Sequence, residues 1–280
     1  MNRSVNAYRR PIYGTGKRLK RSVLRTLGLW SRQHYDVEVV VENGQATYKK
    51  ITFKSERQAE RVSANLERYG DTPHLPSWRR REGNIIWVDY VQGQPCHRVD
   101  DTMMPQIARC FGQIANRDSR LQTFEATPYW QRHLDNLDFL SQTRVIGHRL
   151  RRELQYKSRH ARPDALRTGF DYGDPIGPNL LSRDECGTIC AIDVKNLHSD
   201  TLIGEGLAKA SDRWMCRERR AVVFAHLNRL GLTDIERAFD FIAIYERTAR
   251  VKRKTERDLQ LHRRVRSARA KRRQLAMLLD

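Results

Sequence analysis

The sequence has no apolar run long enough to cross a membrane. Its longest, Ile85–Val91, is far short of the roughly 20 residues a helical span needs. The N-terminus, MNRSVNAYRR, lacks the apolar stretch of a secretory signal. Cysteine is sparse: five residues, an odd number and widely scattered, which argues against a disulfide framework and for a reducing, cytoplasmic setting. No internal repeat and no low-complexity linker interrupts the chain. Acid is scarce relative to base: 33 Asp+Glu stand against 53 Lys+Arg, a net charge of +20. Hydrophobic residues are 39% of the 280, a modest share, yet a chain of this length can still bury a substantial core.

The excess charge sits at the ends. Residues 1–35 contain nine Lys/Arg and no acid, and residues 251–280 contain eleven Lys/Arg and three acids, so residues 36–250 are close to balanced. Blocks of one charge sign commonly meet a polyanion. In the first block Leu19, Val23, Leu27 and Trp30 recur at helical spacing among Lys17, Arg18, Lys20, Arg21 and Arg25. That pattern predicts a basic amphipathic helix able to lie on an anionic membrane surface. The last block has no Gly or Pro and a weaker apolar stripe, Val251, Leu259, Leu261, Val265, Leu275 and Leu278, and it predicts a basic C-terminal helix.

In between, two alternating runs flank an Asn-Gly turn over Asp36–Phe53, the signature of a β-hairpin. A helix is expected over Ser55–Tyr69, capped by Ser55, with Ala59, Val62, Leu66 and Tyr69 on one face and Gly70 at its end. Strands are expected at Ser77–Arg81 and Asn84–Val91. From about Thr102 the pattern is helical, with candidates at 103–117, 129–157, 213–230 and 233–250 or beyond, and a short β-like insertion over Gly177–Ser182 and Thr188–Asp193. The order predicts an α+β chain: a small β-rich lobe (36–95), then a larger α-rich lobe (96–250), with the basic segments 1–35 and 251–280 outside them.

The insertion carries the chemistry. In FDYGDPIGPNLL…AIDVKNL, Asp174 is followed five residues on by Asn179 and fourteen residues later by Asp193 at a strand end. Gly173, Pro175, Gly177 and Pro178 make a stiff irregular loop able to project Asp174 and Asn179 together. Phosphoryl transfer needs such a set: a carboxylate to orient the attacking hydroxyl, and a carboxylate with an amide oxygen to hold Mg²⁺ on the nucleotide phosphates. Cys186 and Cys190 lack a second Cys or His pair at zinc spacing.

YGDPIGPNLL…AIDV resembles the catalytic and metal-binding loops of the protein-kinase-like superfamily. It is most similar to the bacterial branch of small-molecule and lipopolysaccharide core sugar kinases, in which a G-D-P loop replaces H-R-D. The resemblance spans roughly residues 36–250 and implies a bilobal kinase-like fold. It makes Asp174 the catalytic carboxylate and Asn179 and Asp193 the Mg²⁺ ligands. DYVQGQP resembles the family's hinge, so the backbone around Asp89 and Val91 would receive the adenine of ATP. The phosphate-binding lysine falls on Lys49 or Lys50; alternation puts them on opposite faces, so one of them serves, and Lys49 is preferred. Its helical partner is Glu56 or Glu60, with Glu60 preferred from its spacing to Gly70. Three features depart from the family: Tyr172 replaces a common His, Val194-Lys195 replaces Phe-Gly after the second Asp, and no Gly-rich loop precedes the lysine strand.

The resemblance implies an ATP- and Mg²⁺-dependent kinase. A short chain with basic ends suits an acceptor in an anionic leaflet, and a lipopolysaccharide core sugar at the inner face of the cytoplasmic membrane is the expected substrate. Arg213, beside Trp214, is a candidate contact for an acceptor phosphate. Two other readings stand beside this one: a kinase-fold regulatory protein without turnover, and a small kinase associated with nucleic acid.

Overall fold

The computed structural model describes residues 35–183, 187–260 and 268–279. The predicted N-terminal amphipathic helix, Cys186, Leu261 and Val265 lie outside them. The chain forms two compact units. Of the described residues, one contains those up to Gln94 together with those of Leu181–Lys195; the other contains Pro95–Leu180 and those from Asn196 on. The segment Leu181–Lys195, read in the sequence as part of the larger lobe, therefore groups with the smaller unit.

The first unit is built on an antiparallel sheet of order β1-β2-β4-β3, with β1 Tyr35–Glu42, β2 Gln45–Phe53, β3 Trp78–Glu82 and β4 Ile85–Asp89. The turn between β1 and β2 is the predicted Asn-Gly: Asn43 and Gly44 both adopt positive φ, 51° and 80°, the left-handed pair that matches the twist of a hairpin. Register opposes Lys49 to Val39 and Val88, and Lys50 to Glu38 and Trp87. Strand alternation then puts Lys49 on the face of Ile51 and Phe53, which is buried, and Lys50 on the other. Helix α1 (Glu56–Tyr69) completes this core with Ala59, Val62, Leu66 and Tyr69. Ser55 Oγ accepts from the Gln58 N–H, and Gly70 N–H closes the last turn on Leu66 O at 2.7 Å. Gly70 is right-handed, so its need for glycine is steric: a Cβ there would sit 2.2 Å from the Leu66 carbonyl oxygen.

After the two-residue strand β5 (Gln94–Pro95), the second unit runs α2 (Met104–Ala115), β6 (Arg120–Thr123), α3 (Tyr129–Gln142), α4 (His148–His160) and β7 (Ala165–Tyr172). Strands β8 (Leu180–Ser182) and β9 (Ile189–Ala191) follow in sequence, in the segment that from Leu181 belongs to the first unit. Then come β10 (Leu197–Leu202), α5 (Glu205–Ser211), α6 (Arg217–Arg229), α7 (Thr233–Arg237), α8 (Phe239–Gln260) and α9 (Ala268–Ala276). Strands β10, β7 and β6 form one antiparallel sheet in that order.

Two expected helices are split. The run 129–157 breaks at Arg144, which takes φ 57°, so that the amides of Val145 and Ile146 both return to Leu140 O and their side chains drop into the core. The run from 233 breaks at Ala238, whose N–H caps α7 on Asp234 O. The core of the helical unit joins Leu137, Leu140, Val145, Ile146, Leu154, Ile244 and Val251 to Leu275 and Leu278. The basic C-terminal segment is thus not wholly an appendage: Val251, Leu275 and Leu278 of its apolar stripe are seated in the core, Leu259 is exposed, and Lys271 is buried against Asp258 at 2.6 Å.

Candidate functional site

In the first unit the candidate site is built from β2 and the end of β9. Two straps fix β9: His74 Nδ1 lies 2.6 Å from Ile189 O, and the Ala191 N–H donates to His74 O at 2.8 Å. Arg183 adds a bond to Pro73 O. The chain beyond β9 is thereby held against β2, where Lys49 Nζ donates to Ile192 O at 3.2 Å. The Lys49 ammonium is shifted below its ordinary pKa, first by burial; Asp193 opposes that shift and Lys195 adds to it. Lys50, on the other face, pairs with Glu38 at 3.5 Å and lies over the Trp87 ring with Arg80.

Glu60 does not meet Lys49. It lies on the exposed side of α1, because Ala59, Val62, Leu66 and Tyr69 claim the buried side; Glu56 is exposed as well. The charges that bear on Lys49 come instead from Asp193 and Lys195. Lys195, where the resemblance leads one to expect glycine, holds Asp193 Oδ2 at 3.0 Å.

Asp89 ends β4 with its carboxylate gripped by Arg79 Nε and Nη2, at 2.5 and 2.8 Å. Its side chain therefore belongs to the sheet edge. The amides of Asp89 and Tyr90 are used by Ser77 O and Thr47 O, and the backbone leaves the sheet at Val91. Gly93 lets this segment run against Ser182, since a Cβ there would stand 2.4 Å from the Ser182 carbonyl oxygen.

In the second unit β7 delivers Asp174. Gly173 N–H is bound to Asn196 O at 2.8 Å, and the loop then turns on Ile176 N–H to Asp174 O and Asn179 N–H to Ile176 O, both 2.8 Å. Tyr172, standing in the place of the expected His, is buried and donates its hydroxyl to Asn179 O at 3.3 Å, so it acts as a strut. Trp214 Nε1 donates to Pro175 O at 2.8 Å. Asn179 Nδ2 donates to Asp174 O at 3.0 Å and to Asp174 Oδ2 at 3.2 Å, which orients the amide and leaves Oδ1 as the oxygen it can offer a cation. Lys209 Nζ is 2.6 Å and Arg213 Nη1 3.6 Å from Asp174 Oδ1.

By donor chemistry each unit offers an oxygen of a kind magnesium accepts, the neutral amide oxygen of Asn179 in one and the Asp193 carboxylate in the other. Among the described residues no group of three or more His, Cys, Asp or Glu forms a dedicated metal cage.

Sequence reading missed Lys209, His74 and Asp171. Lys209 had one signal, its i,i+4 spacing to Arg213. Asp171 is buried and accepts from Gly206 N–H at 2.9 Å; burial pushes its carboxyl up to about 6.

No protein-family model matches the chain, and no curated protein matches it in sequence. Solved structures do match it in fold. The macrolide 2′-phosphotransferase of Brachybacterium faecium superposes with a TM-score of 0.58 at 13% identity, covering 89% of each chain. An aminoglycoside 2′-phosphotransferase-IIIa gives 0.59 at 14% identity over 94% of this chain and 98% of that one. The Plasmodium vivax ethanolamine kinase gives 0.58 at 11% identity over 89% and 80%. The chain thus has the protein-kinase-like fold of these phosphotransferases, as the sequence leads one to expect.

Proposed function

We propose that this chain is an ATP-dependent phosphotransferase acting on a hydroxyl group. Its acceptor is a sugar of a membrane-anchored anionic glycan, of the lipopolysaccharide core type, met at the inner face of the cytoplasmic membrane. The observation that carries the kinase reading is the Asp174–Asn179 loop. One side-chain amide fixes both the carboxylate and the backbone of Asp174, and keeps its own oxygen for a cation.

In this reading Asp174 orients the acceptor hydroxyl and takes its proton as the new O–P bond to the γ-phosphorus forms. The bond from that phosphorus to the bridging oxygen breaks, and ADP leaves. Asn179 and Asp193 would hold Mg²⁺, which when bound neutralises phosphate charge. Lys49 binds phosphate, and the backbone around Val91 receives the adenine. The basic termini hold the enzyme to the anionic surface.

ATP turnover by the full chain, with Asp174→Ala and Asp193→Ala as controls, tests the chemistry. A wild-type protein that neither binds nor hydrolyses Mg-ATP overturns it. Transfer of labelled phosphate to membrane glycolipid fractions tests the acceptor, and salt-sensitive binding to acidic vesicles in preference to RNA tests the surface. A second reading, a regulatory protein of this fold without turnover, is favoured by one observation: Lys195 occupies Asp193 Oδ2, an oxygen a metal would use.

A further inference from the structure

The catalytic loop motif itself carries no positive charge, yet its central carboxylate is bracketed by two cations from elsewhere in the chain. We propose that Lys209 is a positioning residue for Asp174, setting which carboxylate oxygen faces the acceptor. The proposal rests on the kinase reading of Asp174.

Lys209 contacts the loop at two points. Its aligned hydrogen bond goes to the Gly173 carbonyl oxygen at 3.1 Å. Its contact with Asp174 Oδ1 at 2.6 Å is ionic and not aligned as a hydrogen bond. Asp174 Oδ2 accepts from the Asn179 amide and keeps a second lone pair. The two oxygens are thereby differentiated: Oδ1 is buried against the Lys209 ammonium with no aligned hydrogen-bond donor among the described residues. Oδ2 is the oxygen left to turn to a substrate hydroxyl, and Lys209 holds the carboxylate in that orientation.

The lever that carries Lys209 is stiff. Helix α5 starts at Glu205, and its Gly206 N–H donates to Asp171 Oδ2 three residues before Asp174. Gly206 also presses on the strand so closely that a Cβ would fall 2.0 Å from the Tyr172 carbonyl oxygen. One helical turn separates Gly206 from Lys209, so strand, helix and ammonium form one body. Arg213 reaches the same oxygen at 3.6 Å from the turn after α5 and is the more exposed of the two cations. Small errors in aim are costly in a near-attack geometry, and an anchor that touches both the backbone and the carboxylate is suited to prevent them.

The test uses the full chain with Lys209→Met, which keeps the stem, and Lys209→Arg. Hydrogen exchange over residues 173–179 should quicken at least tenfold in Lys209→Met with the melting temperature held, and Lys209→Arg should restore most of the protection. In steady-state Mg-ATP hydrolysis, Lys209→Met should lower kcat ten- to a hundredfold with KM for ATP within about twofold. Unchanged exchange in the loop overturns the proposal, as does a raised KM with kcat intact. If Lys209→Met unfolds, Lys209→Gln takes its place, and its exchange and kcat decide in the same way. A wild-type protein without ATP turnover would end the kinase reading, while the exchange result would still decide whether Lys209 holds the loop.

Discussion

Lys49 Nζ lies 3.2 Å from the carbonyl oxygen of Ile192, the residue before Asp193. One hydrogen bond thus ties the lysine strand to the segment bearing the second aspartate, although 143 positions separate the two residues in sequence. The lysine occupies the buried face of its sheet without the helical glutamate that the resemblance implies, and its desolvation is offset chiefly by Asp193. A cation held this way contributes little to stability.

Substitution of the two adjacent lysines should therefore separate. Lys49→Met should reduce ATP turnover at least a hundredfold and leave the melting temperature unchanged or higher, because it removes a partly desolvated charge. Lys50→Met should reduce turnover less than threefold, since it loses a half-buried pair with Glu38, a contact worth about 0–1 kcal/mol. Equal losses of activity in the two variants would place the phosphate contact elsewhere.

Lys195 should act as a competitor for the metal. Its ammonium sits 3.0 Å from Asp193 Oδ2, and a divalent cation binding there must displace it. In Lys195→Gly the Mg²⁺ concentration giving half-maximal ATP turnover should fall several-fold, with little change in kcat at saturating Mg²⁺. A higher Mg²⁺ requirement in the variant would show that Lys195 assists nucleotide binding.

Much of this site was legible in the sequence because its elements are local. The Asn-Gly hairpin, the Ser55-capped helix and the G-D-P-x-x-x-N loop each declare themselves within a few residues. Strand β7, which delivers Asp174, did not. Gly169 interrupts its pattern at φ 156°, where a Cβ would lie 2.7 Å from Asp118 O, so the strand depends on a neighbour absent from its own periodicity. Lys209 was hidden for the same reason, its role being set by helix packing. Glu60 was misassigned because spacing to a helix end does not determine which face packing will bury.

The C-terminal stripe gives a stability prediction. Leu275 is fully buried among Leu137, Leu154 and Val251, so Leu275→Ala should cost about 2–5 kcal/mol. Replacing Arg269 and Arg273, both exposed, by Gln should change stability by less than about 0.5 kcal/mol. If removal of residues 261–280 left the melting temperature unchanged, the tail would have no part in the core.

A tightly packed glycine in the loop gives a second. Gly177 faces the Cys96 carbonyl, and a Cβ there would stand 2.1 Å from its oxygen. Because the obstacle is backbone, Gly177→Ala must move the loop that carries Asp174 and Asn179. ATP turnover should fall by more than tenfold, and chemical denaturation should show a loss of roughly 1–3 kcal/mol. Full activity in this variant would mean that the loop tolerates displacement and that its close fit is unrelated to catalysis.

The last prediction concerns pH. His133 is fully buried at the junction of α3, α4 and α8, with Ser158 Oγ 2.8 Å from Nε2 and Thr248 Oγ1 3.3 Å from Nδ1. Burial lowers its pKa from 6.5 to about 4. The unfolded chain therefore takes up a proton near pH 6.5 that the folded chain refuses until about pH 4. The stability associated with neutral His133 is fully present above pH 6.5 and is lost as pH falls toward 4, by up to about 3 kcal/mol at 1.36 kcal/mol per unit. Asp171, raised to about 6 by burial, works in the opposite sense over part of the same range, so the comparison must be made against a variant. The unfolding free energy of wild type minus that of His133→Gln should decline steadily between pH 6.5 and 4 and be level above pH 7. A difference that stays constant across that interval would show that His133 is protonated in the folded protein.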